Sequence, residues 1–334
     1  MLKFLASVLD QMDLALEHIK KSSVHDARFG LMLTDNVLEL VIHQLAKDKC
    51  SELKAFSFRK EKYPFKTDLE EAMGRVFEAK LKFARLEGLV TEEQARTITL
   101  MHGFRNELYH VGLQHEAILP ELARFYFSTA CAILANYDRG YFSYRHGMEL
   151  PERSKKYFTG RGEHCPAQRE DFEKACRTME AECAHKKAET IRTLADHMES
   201  IISEANTHLD IIAEGVYVGQ ERTRDQATIE AQTWPLSFST EARDYAAANG
   251  FCGKSVHDLF VWLGAHYPLR FKKDPIPGWE RQALRLRSKG NPHTALENYA
   301  AFMDHTAQIR EAFLESAIAA EQEIQREIDF RRGK

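Results

Sequence analysis

Ala184, Ala188, Ile191, Ala195, Met198, Ile202, Ala205, Leu209, Ile212 and Val216 follow one another at alternating spacings of four and three residues without a break. A strand would send such residues to opposite faces of a sheet, whereas a helix stacks them into one narrow seam. The pattern therefore demands a long helix, and a seam of this kind needs a partner helix. Another helix of the same chain and a second chain in a coiled coil satisfy it equally.

The same period governs most of the remaining sequence. Phe4, Leu5, Val8, Leu9, Met12, Leu16 and Ile19 form one stripe over residues 1 to 21. From His25 to about Lys49, Leu31, Leu38, Val41, Ile42 and Leu45 belong to an apolar band too broad for a surface helix, so this helix is expected to be central. Helices are also expected over 67 to 86, 92 to 102, 116 to 137, 240 to 267 and 293 to 329. Thr67 to Glu70 and Thr91 to Gln94 have capping-box spacing, Gly88 is placed to end the helix between them, and Gly103 interrupts the next one. No segment alternates like a strand. The expected fold class is all-α: an N-terminal bundle of four to five helices over 1–138, a linker over 139–166 where glycine, proline and basic-aromatic residues replace the periodicity, and a second helical domain over 167–334.

A chain of 334 residues outgrows a single core, which agrees with two domains. It is 44% hydrophobic and 29% charged, as a soluble helical protein should be. A net charge of -4 provides no global field for polyanions, so any nucleic-acid contact must be local. The most basic stretch carries Arg270, Lys272, Lys273, Arg281, Arg285, Arg287 and Lys289, interleaved with Phe271 and Trp279, in position to guide phosphates and stack a base. Six cysteines lie scattered without C-x-x-C spacing, and no apolar run approaches a membrane span, so reduced thiols in the cytoplasm are expected. His164, Cys165, Cys176, Cys183 and His185 match no common zinc spacing, and Gly250 to Ser255 ends as a phosphate loop does but lacks its first glycine and the preceding strand. No metal or cofactor is called for.

The stretch richest in chemistry is Phe104-Arg105-Asn106-Glu107-Leu108-Tyr109-His110, set between Gly103 and Gly112. Its spacing alone carries little weight. With 25 arginines and 15 histidines, chance predicts roughly three arginines followed by a histidine after four to six intervening residues. There are five: Arg96 to His102, Arg105 to His110, Arg139 to His146, Arg192 to His197 and Arg287 to His293. Context separates the second, which alone has an amide after the arginine, just inside an expected helix start, ahead of a strongly apolar helix closing a bundle.

In these features the sequence resembles the HEPN family, whose ribonucleases carry Arg-polar-x(3 to 5)-His near the start of the bundle's last long helix, here Arg105, Asn106 and His110. The resemblance covers residues 1–138. It extends to the second helix, where Asn36 and Glu39 fall where the family often carries an acidic residue facing the motif. It implies an endoribonuclease that needs no metal and forms a homodimer, with both motifs lining one cleft and leaving 2′,3′-cyclic phosphate and 5′-hydroxyl ends. A toxin or phage-defence role, with an antitoxin or regulatory protein partner, fits such a family.

The chemistry agrees with the resemblance. RNA carries its own nucleophile, so cleavage needs a base for the 2′-hydroxyl, the part suited to His110, and a cation for the crowded phosphate, suited to Arg105. Asn106 orients either group. Weaker substrate-contact candidates are Glu39, Tyr109, Lys272, Lys273 and Arg281. Two other readings remain: a catalytically inactive HEPN-like module that binds RNA or protein, with Arg105 in an ordinary ion pair and His110 a core histidine, and a scaffold assembled through the 184–216 seam.

Overall fold

A computed structural model of the chain describes residues 1–21, 23–56, 62–110, 116–137, 147–160, 167–168, 170–217 and 221–332, with the side chains of 108–110 outside that description. The fold is all-α, and the described residues contain no strand. None of their helices is long and apolar enough to cross a membrane.

The chain forms two compact units, the first comprising Met1–Leu194 with Lys289–Glu297 and the second Ala195–Ser288 with Asn298–Lys334. In the first, α1 (Leu2–Lys21) and α2 (Val24–Ala55) lie against each other. Ser23 separates them because its hydroxyl accepts the Asp26 N–H at 3.0 Å and starts α2. The band on α2 makes it the centre of the unit, for it packs against α1, α3 (Lys66–Ala72), α4 (Phe77–Leu86), α5 (Glu92–His110) and α6 (Leu119–Ala135). Leu31, Leu38, Val41, Ile42 and Leu45 are wholly buried, each contributing about 1.5–3 kcal/mol of transfer free energy. Phe29 and Leu40, on the outer side of the band, stay exposed.

The helix expected over 67 to 86 is two helices, broken at Met73–Val76 beside Gly74. Its proposed capping box does not form, since α3 begins after Phe65 with no side-chain cap. The second box does: Gln94 N–H reaches the Thr91 hydroxyl at 3.2 Å and Thr91 N–H reaches the Gln94 amide oxygen at 3.0 Å. Gly88 ends α4 with φ +75°, a value that favours glycine.

The segment expected as a linker contains a short 3₁₀ helix, Glu152–Tyr157, docked on α1. The Tyr157 hydroxyl donates to Asp13 at 2.5 Å, Lys156 pairs with Asp13 at 2.6 Å, and Arg153 pairs with Glu17 at 2.7 Å. Beyond it α7 (Asp171–Cys183) packs on α1 and α6, so residues assigned from sequence to the second domain build the first unit instead. The boundary falls inside α8 (Lys187–Glu214), because a helix needs no composition break to pass from one core to another.

The second unit contains the rest of α8, then α9 (Arg224–Leu236), α10 (Thr240–Ala248), α11 (Val256–His266), α12 (Ile276–Arg287) and most of α13 (Pro292–Arg331). The seam is covered by the chain itself, with Met198, Ile202, Ala205 and Leu209 all buried. On α13, the Tyr299 hydroxyl bonds His197 Nδ1 at 2.8 Å, and Phe302 meets Trp279 edge-on at 5.8 Å. Burial in the seam starts at Ile191, since Ala184 instead caps α7 in the left-handed region at φ 52° and Ala188 is exposed.

Candidate functional site

The helix α5 runs without interruption from Glu92 to His110, so the motif occupies its C-terminal turns and not a helix start. Gly103 was expected to break the pattern. A glycine costs a helix interior only about 1 kcal/mol, and Ala95, Thr97, Ile98 and Met101 bury enough of the same helix to carry it through. The backbone of His110 belongs to α5, but its side chain and that of Tyr109 lie outside the described residues, as do Gly112 and the rest of 111–115.

Arg105 is three-quarters buried and pinned on two sides. Its Nε lies 3.5 Å from Asp35 Oδ2, and its Nη1 donates to the Asn106 amide oxygen at 3.0 Å. Asp35 is a fully buried carboxylate in the apolar band of α2. Its Oδ2 also faces His102 Nδ1 at 2.9 Å, and its Oδ1 accepts the Tyr126 hydroxyl from α6 at 2.7 Å. Burial, and then the adjacent carboxylate, push the Tyr126 hydroxyl well above the usual tyrosine range, so it serves as a neutral donor. Phe77 lies flat on the His102 ring, with centroids 4.0 Å apart at 12°, and fixes its plane. Three helices thus converge on one carboxylate.

Glu39, the acidic residue expected to face the motif, pairs with Lys80 of α4 at 3.2 Å instead, and Asn36 donates to Gln11 at 3.0 Å. The residue that meets Arg105 is Asp35, one position before Asn36 and a full turn before Glu39. Asp35 and His102 were both missed. The available signals were a carboxylate four residues after Leu31 and three before Leu38, on the buried side of the α2 band, and the three-residue spacing from His102 to Arg105 that places both on one helical face.

The other arginine–histidine pairs dissolve into packing. Arg96 holds Glu297 at 2.6 Å, Arg192 pairs with Glu189, His197 bonds Tyr299, and His293 bonds the Thr97 hydroxyl at 2.7 Å. Arg139 and His146 lie outside the described residues. Lys272, Lys273 and Arg281 are exposed in the second unit. Trp279 between them is 2% exposed and offers no face to a base, while Arg287 is taken by Asp196 at 2.6 Å and Glu199 at 2.8 Å. Ser255, the end of the phosphate-loop lookalike, caps α11 by accepting the Asp258 N–H at 3.0 Å.

A second polar cluster lies elsewhere in the first unit. His185 Nε2 is 2.8 Å from the Thr190 hydroxyl, which donates to Glu121 at 2.7 Å. Burial pulls the His185 imidazole down to about 4 and pushes the Glu121 carboxyl up. They border a cavity of about 330 Å³ with Lys20, Arg124, Cys183 and Lys186. The Cys183 thiol is raised by burial to about 11, and the buried Cys131 and Cys176 thiols are raised as well, so all three are unreactive. Among the described residues no group of three or more His, Cys, Asp or Glu is arranged to hold a metal ion.

No family model matches the chain, and no curated protein or solved structure is found to be similar to it.

Proposed function

We propose that this chain is a metal-independent endoribonuclease of the HEPN type, cleaving RNA by attack of the 2′-hydroxyl on the adjacent phosphate. Arg105 steadies the phosphate, Asn106 orients it, and His110 removes the 2′-hydroxyl proton. The same residues of a second chain complete the cleft. The observation that carries this reading is Arg105, held by the buried Asp35 and by Asn106 on a helix that continues to His110. A guanidinium set beside a buried carboxylate at 3.5 Å and bonded through Nη1 to Asn106 is held near one orientation, so less rotamer entropy is lost when it meets an anion, which favours phosphate stabilisation. By helical periodicity His102, Arg105, Asn106 and His110 fall within an arc of about 140°, so one face collects the whole set.

The test is to incubate wild type, Arg105→Ala, Arg105→Lys and His110→Ala with total RNA in EDTA and to map the cleaved ends. The reading expects 2′,3′-cyclic phosphate ends from wild type, a loss of at least about 100-fold in each variant, and little recovery by lysine, which lacks the fork. Absence of cleavage by wild type, or equal cleavage by His110→Ala, overturns it.

A second reading is favoured by the same ion pair, since a guanidinium so engaged with a buried carboxylate also suits a silent binding module. Such a module retains RNA in a binding assay and leaves its ends uncut.

A further inference from the structure

We propose that His102 is the acid of this site, delivering a proton to the 5′ oxygen as it leaves the phosphorus; this deepens the ribonuclease reading and rests on it. The Asp35 carboxylate accepts only, so the Nδ1 facing it at 2.9 Å carries a proton, and Nε2 is the ring atom left to exchange one. The stacked Phe77 ring and the buried carboxylate hold the imidazole in one plane while 17% of the side chain remains open. Nε2 makes no hydrogen bond among the described residues.

The position follows from a shared anchor. Asp35 Oδ2 faces both His102 Nδ1 and Arg105 Nε, so imidazole and guanidinium stand side by side on one atom. Helical side chains lean toward the N-terminus, in keeping with the Arg105 guanidinium lying beside His102 at their shared carboxylate. A phosphate held by Arg105 therefore has His102 as its near imidazole.

The step balances as a transesterification. The 2′ oxygen gives its proton to the base and forms a bond to phosphorus; the bond from phosphorus to the 5′ oxygen breaks, and that oxygen takes the proton from His102 Nε2. The products are a 2′,3′-cyclic phosphate and a 5′-hydroxyl, with His102 left neutral. His110 follows His102 by eight residues, about 12 Å of helix rise, too far for both to flank one phosphate. The base acting with a given His102 is therefore His110 of the second chain in the dimer.

The leaving group supplies the experiment. An RNA substrate is made with sulfur replacing the bridging 5′ oxygen at the mapped cut site, since a thiolate departs without protonation. Wild type, His102→Asn and His110→Ala, in the full chain, are assayed on it and on the ordinary RNA. Asparagine keeps a donor where Nδ1 stood and removes Nε2; circular dichroism and thermal melting report whether it folds, and His102→Gln serves as the second variant.

The expected result is a drop of at least about 100-fold for His102→Asn on ordinary RNA, restored to within a few-fold of wild type on the sulfur substrate, with His110→Ala slow on both. Full activity of His102→Asn on ordinary RNA overturns the proposal and leaves the ribonuclease reading standing. Equal loss on both substrates by a folded variant overturns the acid role. If wild type cuts neither substrate, both readings fall together.

Discussion

Asp35 Oδ1 accepts the Tyr126 hydroxyl at 2.7 Å, joining α2 to α6 where neither side chain meets water. On the other oxygen the same carboxylate faces His102 and Arg105, so it has a structural and a chemical side.

Removing the carboxylate leaves the partly buried Arg105 without its counter-charge, whereas removing the hydroxyl leaves a carboxylate that still has two partners. Asp35→Ala should therefore cost about 3–5 kcal/mol and Tyr126→Phe about 1–2 kcal/mol. Because the two share a bond, the double variant should cost less than the sum of the singles. Urea unfolding of the four proteins checks this, and equal small losses would show that Asp35 is not the hub.

Much of the fold was readable because helical periodicity is a local property. The stripes of α1, α6 and α13, the Thr91 box and the Gly88 stop depend on neighbours within a turn or two. What was not readable depends on distant partners. Glu39 looked right by position but lay nearer Lys80, and Asp35 gained its role only when Tyr126, His102 and Arg105 arrived from two other helices. The domain boundary failed for a related reason, since α8 carries one unbroken pattern through two cores. In the basic stretch, sequence shows charges and aromatics together but not that Trp279 turns inward.

The buried histidines predict how stability responds to acid. His185 is lowered from 6.5 to about 4, and His293 is lowered too, both chiefly by burial. The unfolded chain then binds more protons than the folded one below the ordinary value. Their contribution is full above pH 6.5 and is lost as the pH falls from there toward 4. Glu121 acts oppositely, because its raised carboxyl contributes on the acid side and loses that contribution as the pH rises through its folded value. In His185→Gln, whose amide replaces Nε2 toward Thr190, the loss between pH 7 and 5 should shrink by on the order of 1–2 kcal/mol. Urea midpoints at the two pH values measure it.

The seam on α8 separates an internal partner from an external one. Met198 is 1% exposed and Ile202 3%, both covered within the single chain. A charge at Met198 has no partner there, so Met198→Glu should destabilise the protein by at least about 3 kcal/mol. That loss should not depend on protein concentration. A midpoint that shifts with concentration in wild type and no longer does so in the variant would identify a coiled coil between chains.

If base and acid for one phosphate come from different chains, two inactive variants should rescue each other. A dimer of His102→Asn with His110→Ala holds one cleft with both imidazoles and one with neither. Random mixing makes half of the dimers mixed, so activity should return to about a quarter of wild type, from a hundredth or less in either parent. Mixing after mild unfolding and refolding, followed by RNA cleavage, makes the comparison. Arg105→Ala supplies the control, because combining it with His102→Asn removes Arg105 from one composite cleft and the acid from the other if they serve one phosphate in one chain, so neither cleft is complete. That pairing leaves the opposite cleft complete and also returns about a quarter if instead they serve different ones. Rescue in the first mixture with none in the control pairing is therefore what the shared anchor at Asp35 expects, rescue in both would contradict that anchor, and rescue in neither would return both imidazoles to a single chain.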